Sequence, residues 1–400
     1  MTLRTSPPHP GLAGGPVYLD YNATTPVDPR VADAMVPHLT YLFGNPSSSH
    51  AYGAGPRTAM QRARGQVAAV IGARSEGEIV FTGSGSEADL LALRGAVLAA
   101  GGPRPHVITQ VTEHPAVLET CSALERLHGA QVTVLPVDGY GMLEPSTLAA
   151  ALERPTALVS VMAANNETGA LQPIAELAAL AHARGALFHC DAAQAVGKIA
   201  LDVRALGVDL LTIVGHKMYA PKGVAALYVR EGVRLEPVVY GGGQERALRS
   251  GTESVALAVA LGAAAELVVE DLAHNEPARV AALRDELHRL LTAGWPGRVR
   301  LNGPDAARLP NTLNVSIDGV RGYEMLASVP DVAASTGSAC HSGDHTTPSA
   351  VLTAMGFDED RALGSVRLSL GRWSTRREVE KAARALIGHK LPNRDEAPPR

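Results

Sequence analysis

The feature that most restricts the fold is a rhythm in which short apolar, β-rich runs alternate with Ala/Leu-rich stretches of helical character. The runs are EIVFT (78–82), HVITQ (106–110), QVTVLPV (131–137), TALVSVM (156–162), ALFHC (186–190), VDLLTIV (208–214) and VAALYV (224–229). Runs that are apolar on both faces, separated by helical segments, predict an α/β domain with a mainly parallel seven-stranded sheet. A chain of 400 residues exceeds what one hydrophobic core usually organises, so a second domain is expected. A helical run from 254 to about 291 leads to strand-like RVRLN (298–302), TLNVSI (312–317) and VRLSL (366–370), with helical PSAVLTAM (348–355) and TRREVEKAARALI (375–387). The expected division is a large domain over 16–262 and a smaller α+β domain over 263–390, with flexible tails at 1–15 and 391–400.

Composition narrows the partners. The 36 basic and 40 acidic residues give a net charge of −4 without like-charge blocks, which offers no electrostatic footprint for nucleic acid or an anionic membrane. The opening MTLRTSPPHPGLAGGP carries Pro and Gly where a signal peptide needs an apolar stretch, and the longest apolar run (255–265) is too short to span a bilayer. A cytoplasmic protein acting on small molecules or proteins is expected. Cys121, Cys190 and Cys340 are far apart and lack C-x-x-C spacing, so neither a disulfide framework nor a metal site is expected.

In open α/β sheets ligands gather outside the carboxyl ends of the strands, which gives weight to residues just after each run. After EIVF comes TGSGSEADLLALRG, small residues leading into a helix whose N–H groups near Ser86 and Glu87 would suit a phosphate. It lacks the lysine of a Walker loop and the G-x-G-x-x-G of a dinucleotide site. His114 follows the next strand, where capping is the ordinary role of a histidine. Asn165, Asn166 and Glu167 follow another, where Asn-rich turns are ordinarily only turns. Asp191 and Gln194 follow a fifth, and His216 and Lys217 in VGHKMYAPKG (214–223) a sixth. Taken singly each is weak. Together they supply an anion site, a ring support, a partner for a pyridinium nitrogen and an amine for a Schiff base, which are the requirements of pyridoxal phosphate.

The chain resembles the cysteine desulfurase and selenocysteine lyase group of the class V aminotransferase family. The resemblance is carried by LDYNATTPVDPRV (19–31), FGNPSSSH (43–50), TEHPAVLETC (112–121), NNETG (165–169), DAAQAVGK (191–198), GHKMYAPKG (215–223), GGGQERALRSGT (241–252), STGSACHSG (335–343) and VRLSLGR (366–372). It implies the fold type I architecture and a homodimer. It also implies that Lys217 holds the cofactor as an internal aldimine, that His114 stacks on the ring and that Asp191 pairs with the ring nitrogen. Asn166 and Gln194 would hydrogen-bond the ring oxygen, while Gly85, Ser86, His216 and Thr252, the last from a partner subunit, would hold the phosphate. Asn22 and Arg367 would bind substrate, Arg367 through the bidentate fork that suits a carboxylate.

By the same resemblance Cys340, in a loop of small and polar residues, is the sulfur-accepting nucleophile; nearby cations would favour its thiolate, and His341 and His345 read either as those cations or as solvated side chains of a Gly-rich loop. Cys121 and Cys190 read instead as small buried hydrophobes. The implied reaction turns L-cysteine into L-alanine and leaves a persulfide on Cys340 for an acceptor protein. Where many members carry a serine before Gly-His-Lys and an Asn at position 90, this chain has Val214 and Leu90, so Ser84, Ser86 or backbone N–H groups are expected to compensate at the phosphate. The TIVGHK wording and the spacing of Pro348 from Cys340 are closer to selenocysteine lyases, which stand as the alternative. A class V transaminase would have no need of Cys340, and a non-catalytic scaffold would be expected to lose Lys217 or Asp191.

Overall fold

A computed structural model describes residues 7–102, 105–336 and 347–389. Twelve strands are found among these: β1 (Val17–Tyr18), β2 (Ile79–Thr82), β3 (His106–Gln110), β4 (Gln131–Leu135), β5 (Leu158–Ser160), β6 (Leu187–Asp191), β7 (Leu210–Val214), β8 (Ala225–Val229), β9 (Val299–Leu301), β10 (Thr312–Ile317), β11 (Val332–Ala333) and β12 (Ser365–Ser369). Seven of them form one sheet in the order β2-β8-β7-β6-β5-β3-β4. The expected α/β class and seven-stranded sheet are both present. Pairings from β7 across to β4 are parallel, whereas β8 runs antiparallel to both β7 and β2. The reversal has a local cause: residues 215–224, with Gly223 at φ 88°, form a turn too short for the crossover a parallel neighbour would need.

Side chains alternate across the strands and sort into two cores. Ile79, Phe81, Ile108, Val159 and Leu211 face the helices Ala51–Val70 and Val255–Ala273. Val80, Val107, Leu158, Leu210 and Leu227 face the helices Gly85–Ala100 and Pro115–His128. The sheet is therefore covered on both sides, which is why its strands read as continuous apolar runs. Cys121 and Cys190 lie in these cores, 2% and 0% exposed, and burial pushes the Cys121 thiol up to about 12.

In the smaller unit β10 pairs antiparallel with β9 and β12, and β1 pairs parallel with β11. Leu287, Leu291, Leu313, Val315, Leu368 and Val379 form its core, joined by Val17 and Leu19. The expected domain limits therefore need adjustment at both ends of the large domain. The segment 17–19 packs into the small core, and the 262/263 boundary falls inside the helix Val255–Ala273, whose Leu261, Ala264 and Val268 belong to the first core. The change of packing comes after that helix, at Asn275, which adopts φ 59° between two helices. Part of the segment expected as an amino-terminal tail also packs against the body: residues Pro10–Leu12 form a 3-10 turn, and His9 Nε2 lies 2.8 Å from the Val27 carbonyl with its ring 4.7 Å from Trp373. The tail expected at 391–400 lies outside the described residues.

Candidate active site

Two loops meet at the carboxyl end of β7. The first follows β1 and contains residues 20–25; the second follows β7 and contains residues 215–219. Thr25 makes three hydrogen bonds to the second loop: its N–H and Oγ1 donate to the His216 carbonyl at 2.9 and 3.1 Å, and its Oγ1 accepts from the Tyr219 N–H at 2.8 Å. Thr24 Oγ1 lies 3.1 Å from His216 Nδ1. Between them the Lys217 ammonium donates to the carbonyls of Asn22 (2.7 Å) and Ala23 (2.8 Å). Tyr219 pays for this tight turn with φ 69°, a conformation that costs a non-glycine residue about 1–3 kcal/mol and persists only where surrounding contacts enforce it. Its ring is enclosed by Tyr21, Trp373 and the Arg372 guanidinium.

Asp191 ends β6, the strand beside β7. It is 5% exposed, Oδ1 accepts from the Ala193 N–H at 2.9 Å, and burial raises its carboxyl above the usual range against the opposing pull of His114 and Lys217. Asp89, Glu113 and His189 lie around this strand end, all buried. Glu113 Oε1 accepts from Met162 N–H (2.6 Å) and Gln110 Nε2 (2.9 Å); His189 is tied to Ser160 and Thr212 hydroxyls and held neutral, its pKa pushed down to about 3 by burial. Asp89 comes from the helix Gly85–Ala100, Glu113 from the turn after β3 and His189 from β6, so only folding gathers them.

His114 is the N-cap of the helix Pro115–His128, and its Nδ1 accepts from the Ala116 N–H at 3.1 Å. The capping role does not exclude a chemical one: with Nδ1 accepting, the neutral ring carries its proton on Nε2. At the start of the helix Gly85–Ala100, Ser84 Oγ accepts from Glu87 N–H at 3.1 Å. The donor expected near Glu87 is therefore already engaged, which leaves the cradle to Gly85 and Ser86. A Cβ on Gly85 would lie 2.6 Å from Val214 Cγ2, so the helix start and the end of β7 approach as closely as a glycine allows. His216 flanks this region, its pKa lowered to about 4 by burial and by the nearby lysines. Thr252 is exposed.

On the other side Asn22 joins the two domains. Its Nδ2 donates to the Asn166 carbonyl (3.1 Å) and Thr312 Oγ1 (2.9 Å), and its Oδ1 accepts from Asn311 Nδ2 (2.9 Å). Both amide hydrogens of Asn22 are thus engaged within the protein. Arg367, 3% exposed, pairs with Asp20 at 2.8 Å and donates to the Asn166 carbonyl at 3.2 Å, while its buried Nε has no partner among the described residues. Gln194 Nε2 donates to the Asn22 carbonyl at 3.0 Å. Asp20, Asn311 and Lys198, which contacts Gln194, are the site residues sequence reading misses. Cys340, with His341 and His345, lies outside the described residues.

The donor set suits a phosphorylated pyridine aldehyde. An amine emerges from a turn, a buried carboxyl stands on the adjacent strand, and a helix that starts on a glycine has N–H groups suited to an anion. A turn lysine and strand-end carboxyl set on a seven-stranded, mainly parallel sheet define the class: the chain belongs to the class-V aminotransferase family, whose model (Aminotransferase class-V) matches residues 17–382. Among its relatives are the mitochondrial cysteine desulfurase of Drosophila melanogaster, 47% identical over 379 residues (94% of this chain and 81% of that protein), and the cysteine desulfurase of Trichormus azollae, 48% identical over 369 residues (91% and 90%). Among solved structures, a NifS-like protein superposes with a TM-score of 0.84 at 35% identity, covering 93% of this chain and 98% of that one.

Proposed function

We propose that the protein is a pyridoxal phosphate-dependent cysteine desulfurase that converts L-cysteine to L-alanine and passes the sulfur to Cys340 as a persulfide. The observation that carries this reading is the Lys217 ammonium between two backbone carbonyls, beside a strand that ends in buried Asp191. The cysteine desulfurase identity of the relatives supports the substrate. Lys217 and Asp191 would hold the cofactor, with Gly85, Ser86, His216 and Thr252 at its phosphate, His114 on its ring and Asn166 and Gln194 near its ring oxygen. When bound, the cofactor supplies an electron sink for charge developing at the substrate Cα.

The chain's own groups do the rest. Arg367, with an unpartnered buried Nε, receives the substrate carboxylate. Lys217 removes the Cα proton. His114 exchanges a proton with the substrate sulfur through Nε2. The Cys340 thiolate attacks that sulfur; an S–S bond forms, the C–S bond breaks, and its electron pair stays with the carbon skeleton, which is protonated to alanine. An acceptor protein then takes the sulfur. The enzyme works in the cytoplasm as a homodimer in this reading.

Selenocysteine lyase is the second reading, favoured by Val214, which presents methyl groups to Gly85 where a hydroxyl is usual. Alanine release from cysteine and from selenocysteine, with and without Cys340, separates the two. Cys340→Ala is expected to abolish release from cysteine while sparing the visible cofactor band, and Lys217→Ala to abolish the band. A sulfur adduct found only on Cys121 or Cys190 would overturn the persulfide assignment.

A further inference from the structure

Lys198 is a buried lysine without an acid. It is 9% exposed, forms no ion pair among the described residues, and its amine has one hydrogen-bond partner there, Gln194 Oε1 at 2.5 Å. Burying an unpaired ammonium costs several kcal/mol, and an apolar side chain of the same volume would fill the space at lower cost. The surroundings are unfavourable too: burial, then Lys217 and Arg367, drive its pKa well below the ordinary lysine value. Successive turns after β6, with Gly197 at φ 85°, fold residue 198 back onto residue 194.

The two contacts of Gln194 fix which way its amide points. Oε1 takes the Lys198 hydrogen; Nε2 gives a hydrogen to the Asn22 carbonyl at 3.0 Å, an oxygen that can only accept. That same carbonyl accepts from Lys217 Nζ at 2.7 Å. With the amide oriented by these two contacts and one N–H on Asn22, Gln194 keeps one N–H as its remaining donor toward a ligand. If the amide were reversed, an oxygen would face an oxygen at Asn22.

We propose that Lys198 is a positioning residue that locks Gln194 as a hydrogen-bond donor toward the ring oxygen of the cofactor. The proposal rests on the cofactor reading given above. Lys198 acts in this proposal through the Gln194 amide.

A double-mutant cycle in the full-length protein tests it, using Lys198→Met, Gln194→Leu and the double variant. The dissociation constant for pyridoxal phosphate and the position of the visible band without substrate serve as readouts. Each single variant is expected to weaken binding about tenfold, the worth of one hydrogen bond to a charged group, and to move the band in the same direction. The double variant should match Gln194→Leu, because residues acting through one contact are not additive. Lys198→Arg, which keeps a donor-only head, should retain the wild-type band. A roughly hundredfold, additive loss in the double variant, or an unmoved band in Lys198→Met, would overturn the proposal. Thermal melts of the cofactor-free variants separate misfolding from this effect. A wild-type protein that binds no pyridoxal phosphate would instead sink the cofactor reading itself.

Discussion

Gly85 and Val214 show how one pair of side chains tunes an anion site. With Val214 packed on the helix start, a Cβ at residue 85 would sit 2.6 Å from a methyl carbon, far inside van der Waals contact, so one of the two must move. Overpacking of this kind costs about 1–3 kcal/mol, and here the shift falls on the N–H groups assigned to the phosphate. Gly85→Ala is therefore expected to weaken pyridoxal phosphate binding by about tenfold, since 1.4 kcal/mol is tenfold in affinity. Gly85→Ala combined with Val214→Ala removes the offending methyl and should recover most of the loss. Equilibrium dialysis reads both; equal affinity of Gly85→Ala and wild type would show that the helix start does not hold the anion.

At the scale of elements, the helices Ala51–Val70 and Val255–Ala273 meet at Gly262, where a Cβ would lie 2.7 Å from Ala63 Cα and 2.5 Å from Gln66 Oε1. Gly262→Val gains at most about 1 kcal/mol from a stiffer unfolded chain. The backbone clash sets about 1–3 kcal/mol against it. The net expectation is a lower urea midpoint with an unchanged slope, and a variant as stable as wild type would refute the close approach. The elements themselves were largely legible: HVITQ and TLNVSI coincide with β3 and β10, because strands buried on both faces leave uninterrupted apolar runs. The direction of β8 was not, since an apolar run carries no polarity; only the short turn containing Pro221 and Gly223 encodes the reversal. Nor did the single helical run over 254–291 reveal its break at Asn275, a left-handed position just before the Pro277 of the next helix. In the site, Lys217, Asp191, His114 and Gln194 were legible from their strand-end positions. Asp20 and Lys198 stand inside LDYNATTPVDPRV and DAAQAVGK, but they and Asn311 matter through partners brought near by folding, so local patterning gave them no role.

For the molecule as a whole, the exposed apolar surface is uneven. Leu39, Tyr41, Phe43 and Tyr52 are 61%, 82%, 69% and 69% exposed, and the rings of Phe43 and Tyr52 meet at a tilt of 31° with centroids 5.7 Å apart. Large aromatic side chains gathered in water mark an interaction surface, which accords with the proposed homodimer and with an exposed Thr252 that would serve the other subunit. Sedimentation should give twice the chain mass for the wild type. Phe43→Glu should shift it toward the monomer and weaken cofactor retention together; a monomeric wild type would dismiss the shared site.

The loop that grips Lys217 is itself anchored near the far end of the chain: Asn22 N–H donates to Ser369 Oγ, Ser369 N–H to the Leu19 carbonyl, and Arg367 pairs with Asp20. Lys217 leaves the ribosome 150 residues before Arg367 (367 − 217), roughly 8–30 s at ~5–20 residues per second. Throughout that interval the lysine has its turn but not the strand that fixes its carbonyl cradle. On the proposed reading, the carbonyl cradle that would receive the cofactor's lysine is complete only in the finished polypeptide.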